Sequence, residues 1–234
     1  MEDKNILGLE ARLADVRGKR VLEIGAGDGR LTRRLLANSP KKLTVVEMDP
    51  FYASELRSKL GDQITVIEGD VLEEPLPQAD VIVGNIPYYI SSDIVFLIAG
   101  MKIKRAVLMV QKEFALKMAA KPKEKNYGRL SVTAQFSFQV KYERTVLRHL
   151  FRPVPEVDSA IITLIPSGKK LSQLEENVIR FIFQHKNKTV RNALLDSKYY
   201  SAAELEVLGE YAKRRGRTLT KEECLEIAAL LKNL

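Results

Sequence analysis

Apolar positions along the chain fall into two rhythms. Short, nearly continuous apolar runs recur at 20–25, 43–48, 64–67, 79–84 and 105–110, rich in Val and Ile and too short for helices. Between and after them the spacing lengthens to three or four: Leu31, Leu35 and Leu36 are one such set, and residues 51–60, 93–101 and 113–120 keep the same period. Strands alternating with helices in units of ~30 residues predict an α/β fold with a parallel, doubly wound, Rossmann-like sheet. Right-handed crossovers then place a ligand outside the carboxyl ends of the strands. Two further β-leaning runs, 136–146 and 159–165, flank a loop carrying Pro153 and Pro155 and are expected to close the sheet with an antiparallel strand. Pro166-Ser-Gly-Lys-Lys170 has linker composition. Beyond it the pattern is helical only, through Leu171, Leu174, Val178, Ile182 and His185, and again through Leu225, Ala228, Ala229 and Leu231. The reading is therefore an α/β domain over 1–166 and a small all-helical domain over 167–234.

Composition narrows the class. With 234 residues, 45% of them hydrophobic, the chain can bury a full core and is not disordered. Its longest apolar-leaning window, 81–101, is broken by Asn85, Pro87 and Asp93 and falls short of the ~20 apolar residues of a membrane span. No basic, apolar leader opens the sequence. Cys224 is the single cysteine, which excludes an internal disulfide and a multi-cysteine zinc site. A reduced, cytoplasmic protein without a membrane partner or metal is expected. The net charge of +8 is unevenly placed: residues 1–99 carry −4 and residues 100–234 carry +12. That asymmetry suggests a small ligand for the first part and a polyanion for the second, although a solvated Lys-rich surface would give the same counts.

Gly25-Ala-Gly27-Asp-Gly29 follows the first predicted strand and opens a helix, where glycines let backbone pass close to a ligand. The spacing is Gly-x-Gly-x-Gly, not the Gly-x-Gly-x-x-Gly of dinucleotide binders. Glu47 ends the second strand 22 residues after Gly25, where a carboxylate can accept both hydroxyls of a ribose. Asp70, after the third strand, could accept from the amino group of an adenine.

Asn85-Ile-Pro-Tyr88 follows the fourth strand at the same edge of the sheet. The amino nitrogen of adenine is a poor nucleophile because its lone pair is delocalised into the ring. If the Asn85 side-chain oxygen and the backbone carbonyl of Ile86 or Pro87 accept its two N–H bonds, the nitrogen is drawn toward a tetrahedral form and its lone pair is aimed at an electrophile. Pro87 stiffens the loop. Tyr88 offers a ring face to a displaced base, and such stacking is worth ~1–3 kcal/mol per base.

Together, Leu22-Glu-Ile-Gly-Ala-Gly-Asp-Gly-Arg-Leu-Thr32, Val46-Glu-Met-Asp49, Gly69-Asp70, Asn85-Ile-Pro-Tyr-Tyr-Ile-Ser91, Phe151-Arg-Pro-Val-Pro-Glu-Val-Asp-Ser159 and Lys186-Asn-Lys-Thr-Val-Arg-Asn-Ala-Leu194 resemble the KsgA-type rRNA adenine N6,N6-dimethyltransferases of the archaeal-like, small-subunit kind. The resemblance implies a class I methyltransferase fold and S-adenosylmethionine as cofactor. It also implies dimethylation of two neighbouring adenines in a hairpin near the 3′ end of small-subunit rRNA during ribosome biogenesis, by a monomer acting on the immature subunit. By motif, Gly25 and Gly27 would line the methionine part of the cofactor, Glu47 its ribose and Asp70 its adenine. Asn85 would border both cofactor and target base, with Pro87 and Tyr88 on the base and Phe151 as the opposite stacking face. Lys112, Lys117 and Arg129, with Lys186, Lys188 and Arg191 on the helical domain, are the RNA-facing candidates.

Two departures stand out. Relatives carry a Gly-Gln-Asn-Phe-Leu-like segment upstream of the first strand that helps cover the cofactor. None of the 19 residues before Arg20 matches it, and Asp-Lys-Asn-Ile at 3–6 looks like the stretch that follows it. Tyr89 stands where many relatives have Asn or Gln. Two other functions compete: methylation of large-subunit rRNA, as by the macrolide-resistance enzymes, and a noncatalytic RNA-binding assembly factor on the same fold. His149, His185 and Cys224 show no spacing that suggests a metal or a nucleophile.

Overall fold

The structure, a computed structural model, describes residues 3–232. It divides into two compact units. One is built from the residues up to Ala115 with Val140–Pro166, the other from Leu116–Gln139 with the residues from Ser167 onward.

The first unit holds a seven-stranded sheet: β1 (Arg20–Ile24), β2 (Lys42–Glu47), β3 (Thr65–Glu68), β4 (Val81–Asn85), β5 (Arg105–Gln111), β6 (Phe138–Val146) and β7 (Ser159–Pro166), in the order β3-β2-β1-β4-β5-β7-β6. The first five are parallel, and β7 runs antiparallel to β5 with Met109 opposite Ile161. Val21, Leu22, Val81, Ile82, Val83, Val107 and Leu108 are all buried, because helices cover both faces of the sheet; this is why these strands read as unbroken apolar runs. Arg20 and Asp80 fix β1 and β4 at their entry. The Arg20 backbone N–H and Nε both donate to Asp80 Oδ2, at 3.0 and 3.1 Å, and these bonds hold the Asp80 carboxyl down to about 2.

The helices of this unit are α1 (Lys4–Ala14), α2 (Arg30–Leu36), α3 (Pro50–Leu60) and α4 (Ser91–Gly100), and α5 (Lys112–Ala119) leads out of it. The sequence pattern did not predict α1. It starts at an N-cap, Asp3, whose carboxylate accepts from the N–H groups of Asn5 and Ile6, and it buries Ile6, Leu7, Ala11 and Ala14. Gly8 and Glu10 interrupt the apolar stripe and hide it. In α3, Asp49 caps the first turn and Pro50 occupies the first helical position.

The second unit is helical: α6 (Arg129–Ser137), α7 (Gln173–Gln184), α8 (Val190–Asp196) and α9 (Lys221–Leu230) surround Tyr127, Val178, Ile182, Leu194, Leu205, Leu219, Cys224 and Ile227. Capping boxes, Ser172 with Glu175 and Thr220 with Glu223, start α7 and α9. Two expectations change here. The strand expected over 136–146 begins at Phe138, because Phe136 and Ser137 complete α6. Residues 116–139, placed by sequence in the first domain, belong with the second unit. The Tyr127 ring is buried in its core and its hydroxyl donates to the Leu219 carbonyl at 2.6 Å. Lys186 Nζ donates to the carbonyls of Lys125 and Tyr127, and Lys221 Nζ to that of Gln135. No linker composition marks the crossings at 115 and 139, so the excursion was invisible in the sequence.

Candidate active site

Strand order reverses between β1 and β4: β1 leads outward to β2 and β3, β4 to β5 and β7. The loops after these two strands leave in opposite directions and open a crevice at the carboxyl edge. The glycine turn leaves β1, and the Asn-Ile-Pro-Tyr loop leaves β4. Their strands lie unusually close. Gly84 faces Ile24, and a Cβ on Gly84 would fall 2.7 Å from the Ile24 carbonyl and 3.1 Å from the Ile24 Cβ. Glycine at 84, which the sequence reading passed over, therefore lets the acceptor loop approach the turn. A Cβ on Gly25 would lie 3.8 Å from the Asn85 carbonyl, so only one side-chain carbon's width separates turn and loop there.

Gly25, Gly27 and Gly29 all have left-handed backbone, with φ of 68, 54 and 75°. Glu47 is held from both sides: its Oε2 accepts from the Gly27 N–H at 2.8 Å and its Oε1 from the Asp49 N–H at 3.0 Å. Asp70 forms its own turn, with Oδ1 accepting from the Leu72 N–H at 2.9 Å. Beneath the glycine turn lie two carboxyls that sequence reasoning did not promote, Glu23 on β1 and Glu10 on α1. Both are buried; the Glu10 oxygens have no hydrogen-bond partner among the described residues, and Glu23 has only the Thr32 hydroxyl beside it, short of a well-formed bond, which opposes its rise. Burial pushes both up to about 8, aided by the charge of Glu23 beside Glu10 and of Glu47 beside Glu23. A Glu inside the otherwise apolar run 21–24 was the signal for Glu23.

Beside the turn is a cavity of about 290 Å³. Asn85, Pro87, Tyr88, Phe151, Pro153 and Ser159 line it, with Met109 at its wall. The Asn85 Oδ1 is buried and accepts no hydrogen bond among the described residues. The Pro87 carbonyl is engaged by the Ile90 N–H at 3.2 Å and the Ser91 hydroxyl at 3.3 Å. The Ile86 N–H donates to the Met109 carbonyl at 2.9 Å, whereas its own carbonyl accepts nothing among the described residues. Of the two carbonyls the sequence left open, that of Ile86 has acceptor capacity to spare. The Tyr88 hydroxyl meets the Ser159 hydroxyl at 2.8 Å, which fixes the ring across the cavity. Ser159 thus positions Tyr88. Phe151 packs on the first unit's core. The Asp158 carboxylate accepts from the Arg148 N–H at 3.1 Å and pairs with Lys112 Nζ at 3.6 Å, which ties down the approach to Ser159. Tyr89 is 77% exposed on the turn after Tyr88.

The structure brings Gly25, Gly27, Glu47, Asn85, Pro87, Tyr88 and Phe151 into one unit around the crevice. The RNA-facing candidates are placed less openly. Lys112 pairs with Asp158, Lys186 clamps the 125–127 loop, Lys188 pairs with Asp196 at 2.6 Å and Arg191 meets Glu206 at 3.6 Å. Lys117 and Arg129 are exposed on the second unit. Among the described residues no cluster of His, Cys, Asp and Glu fits a metal ion, and no helix is long and apolar enough to cross a membrane.

Comparison with known proteins gives concordant results. A family model described as ribosomal RNA adenine dimethylase matches residues 7–232. A probable ribosomal RNA small subunit methyltransferase A of Thermococcus onnurineus is 40% identical over 223 residues, 91% of this chain and 82% of that protein. One of the same description from Methanopyrus kandleri is 38% identical over 97% of this chain and 84% of its own. Among solved structures, a dimethyladenosine transferase from Plasmodium falciparum superposes with a TM-score of 0.89 at 29% identity, covering 100% of this chain and 96% of that one. The 23S rRNA methyltransferase ErmE gives 0.75 at 31% identity, covering 99% of both.

Proposed function

The chain belongs to the ribosomal RNA adenine dimethylase family, and from that premise we propose that it methylates N6 of adenines in small-subunit rRNA with S-adenosylmethionine as the methyl donor. The observation that carries this reading is the buried Asn85 Oδ1, partnerless among the described residues, on a residue that lines a cavity beside the glycine turn. A buried acceptor without a donor costs about 1–3 kcal/mol, and natural sequences keep such a defect where a ligand relieves it.

The residues present fit the cofactor. The left-handed glycines leave no side chain over the crevice floor, and Glu47, oriented by two backbone amides, would take the ribose hydroxyls. Asp70 would take the adenine amino group. When bound, S-adenosylmethionine supplies a methyl group already activated by the sulfonium charge. What the chain must do is orient the nucleophile. Asn85 Oδ1 and the Ile86 carbonyl would accept the two N6–H bonds of an extruded adenine, and Tyr88, braced by Ser159, would stack on the base with Phe151 on its other face. Among the described residues, Tyr88 is the one titratable side chain lining this cavity. Catalysis would therefore rest on positioning and lone-pair steering, with no strong base at the base pocket. Lys117 and Arg129, both exposed on the second unit, are proposed RNA contacts. Two adjacent adenines of the 3′-terminal hairpin, presented by an immature small subunit to a monomeric enzyme, are the proposed target.

The test is incubation with labelled S-adenosylmethionine and separated immature small and large ribosomal subunits, followed by mapping of modified nucleotides. Dimethyladenosine in the small-subunit hairpin supports the reading. Label confined to large-subunit RNA would favour the activity that ErmE's description names, and absence of both label and cofactor binding would leave a noncatalytic assembly factor.

A further inference from the structure

The first 99 residues carry a net charge of −4, which hides a local reversal: residues 29–46 contain five Lys and Arg and no Asp or Glu. On α2, Arg30, Arg33, Arg34 and Ala37 stand at i, i+3, i+4 and i+7, so they share one helix face. That face meets Lys4 and Leu7, themselves i and i+3 on α1, and together the six line a cavity of about 510 Å³. Leu31 and Leu35 make the buried apolar side of α2, whereas Arg30, Arg33, Arg34 and Lys4 are exposed around the cavity, so four of its six lining residues are cations. The Asp28 carboxylate pairs with Arg30 at 2.8 Å, and the Asp28 carbonyl accepts from Arg33 Nη1 at 2.9 Å. The side chains of Lys4 and Arg34 have no partner among the described residues. Asp28 offsets the charge of Arg30; Lys4, Arg33 and Arg34 leave a local excess of positive charge around one open cavity, which an anion seated there would offset.

We propose that this α1–α2 cavity is a phosphate-binding site of the first unit that grips the backbone of the RNA substrate. The inference rests on the rRNA reading above and adds a contact surface where the sequence balance predicted none. Arg33 and Arg34 project from the helix that the glycine turn opens, so phosphates held here belong to the strand that delivers the target base to the same unit. Guanidinium groups suit this because their forked donors match phosphate oxygens.

The experiment uses the full chain and a labelled RNA hairpin with two adjacent adenines in its loop, titrated at several KCl concentrations. Each phosphate contact contributes ~0.7 (single strand) to ~0.9 (duplex) to the slope of log affinity against log salt. The R33Q/R34Q variant is expected to bind the hairpin more weakly, with the slope smaller by about 1.4–1.8. Lys4→Gln should remove a further fraction, and the R33K/R34K variant should keep most of the slope, which separates charge from folding. S-adenosylhomocysteine affinity, measured by calorimetry, should stay unchanged in all three. An unchanged slope in R33Q/R34Q overturns the inference, as does a loss of S-adenosylhomocysteine affinity with RNA affinity intact, which would assign the cavity to the cofactor. The functional reading is judged separately by methyl transfer of the unsubstituted chain to ribosomal subunits.

Discussion

Asn85→Ala separates a residue kept for chemistry from one kept for folding. In the free protein the Asn85 Oδ1 is buried without a partner, a defect worth about 1–3 kcal/mol against the fold. Truncation removes that defect and also the packing of one small carboxamide, about 1 kcal/mol for the single carbon lost. Because the side chain borders an open cavity and not sealed core, the vacated space joins the cavity and adds little further cost. The net is a gain of about 1 kcal/mol, or ~2–4 °C in the melting temperature of a chain this size. Transfer moves the other way. Loss of an acceptor aimed at the reacting amine should lower turnover about 10²–10³-fold, the scale of removing one preorganised hydrogen-bonding group from an active site. Differential scanning fluorimetry reads the first quantity and labelled methyl transfer under saturating RNA the second. A variant that melts several degrees lower is one in which Asn85 holds the fold together, and turnover within tenfold of the parent means that the acceptor is not at the reacting nitrogen; either result refutes the reasoning.

Other positions yield sharper single outcomes. Gly84→Ala places a Cβ 2.7 Å from the Ile24 carbonyl, so it should destabilise the first unit by about 1–3 kcal/mol and weaken S-adenosylhomocysteine binding by prying β4 from the glycine turn; a variant with normal melting and affinity rejects the close-approach argument. Tyr88→Phe deletes the bond to Ser159, worth about 0.5–1.5 kcal/mol, and should slow transfer up to about tenfold with the cofactor affinity intact; Ser159→Ala should match it, and a large difference between the two would break the link. Glu47→Gln exchanges a carboxylate fixed by two amides for a side chain that cannot accept at both ends, and should weaken S-adenosylhomocysteine by about tenfold or more, checked by calorimetry. Glu10 and Glu23 ionise near 4.5 when unfolded but stay protonated up to about 8 when folded, so the unfolded state loses protons first and stability falls as pH rises between those values. Glu10→Gln should flatten that fall in urea titrations from pH 5 to 8, with its advantage greatest at the upper end; an undiminished slope would mean that Glu10 is charged in the fold.

What could be read from sequence, and what could not, follows from how each feature is encoded. The parallel strands were legible because burial on both faces forbids polar residues, which leaves unbroken runs such as 81–84. The glycine turn and Asn85-Ile-Pro-Tyr88 were legible because each occupies a few consecutive positions after a strand. Features assembled from distant positions were not. Ser159 bonds Tyr88 across 71 residues. The excursion of residues 116–139 into the second unit is held by Lys186 and Lys221, whose side chains look from sequence like any solvated cation. The same blindness works in the opposite direction at Lys186, Lys188 and Arg191: a sequence registers their charge but not the carbonyl or carboxylate that already occupies it.

Charge balance summed over long segments erred for a related reason. Between Asp49 and residue 99 acids dominate, while the α1–α2 face is basic, and the two cancel only on paper because they lie on different surfaces. Fields act through distance in space, screened over about 8–10 Å, so the relevant sum runs over a cavity wall and not over a stretch of chain. On that local scale the first unit presents two surfaces of opposite chemistry. At the sheet edge, the carboxylates at 47 and 70 would meet a cofactor with a sulfonium and hydroxyls; behind α2, the cations would meet phosphates. An enzyme that must hold a cationic methyl donor and a polyanionic acceptor in one unit needs those fields separated, since a common surface would let the RNA backbone compete for the donor's place.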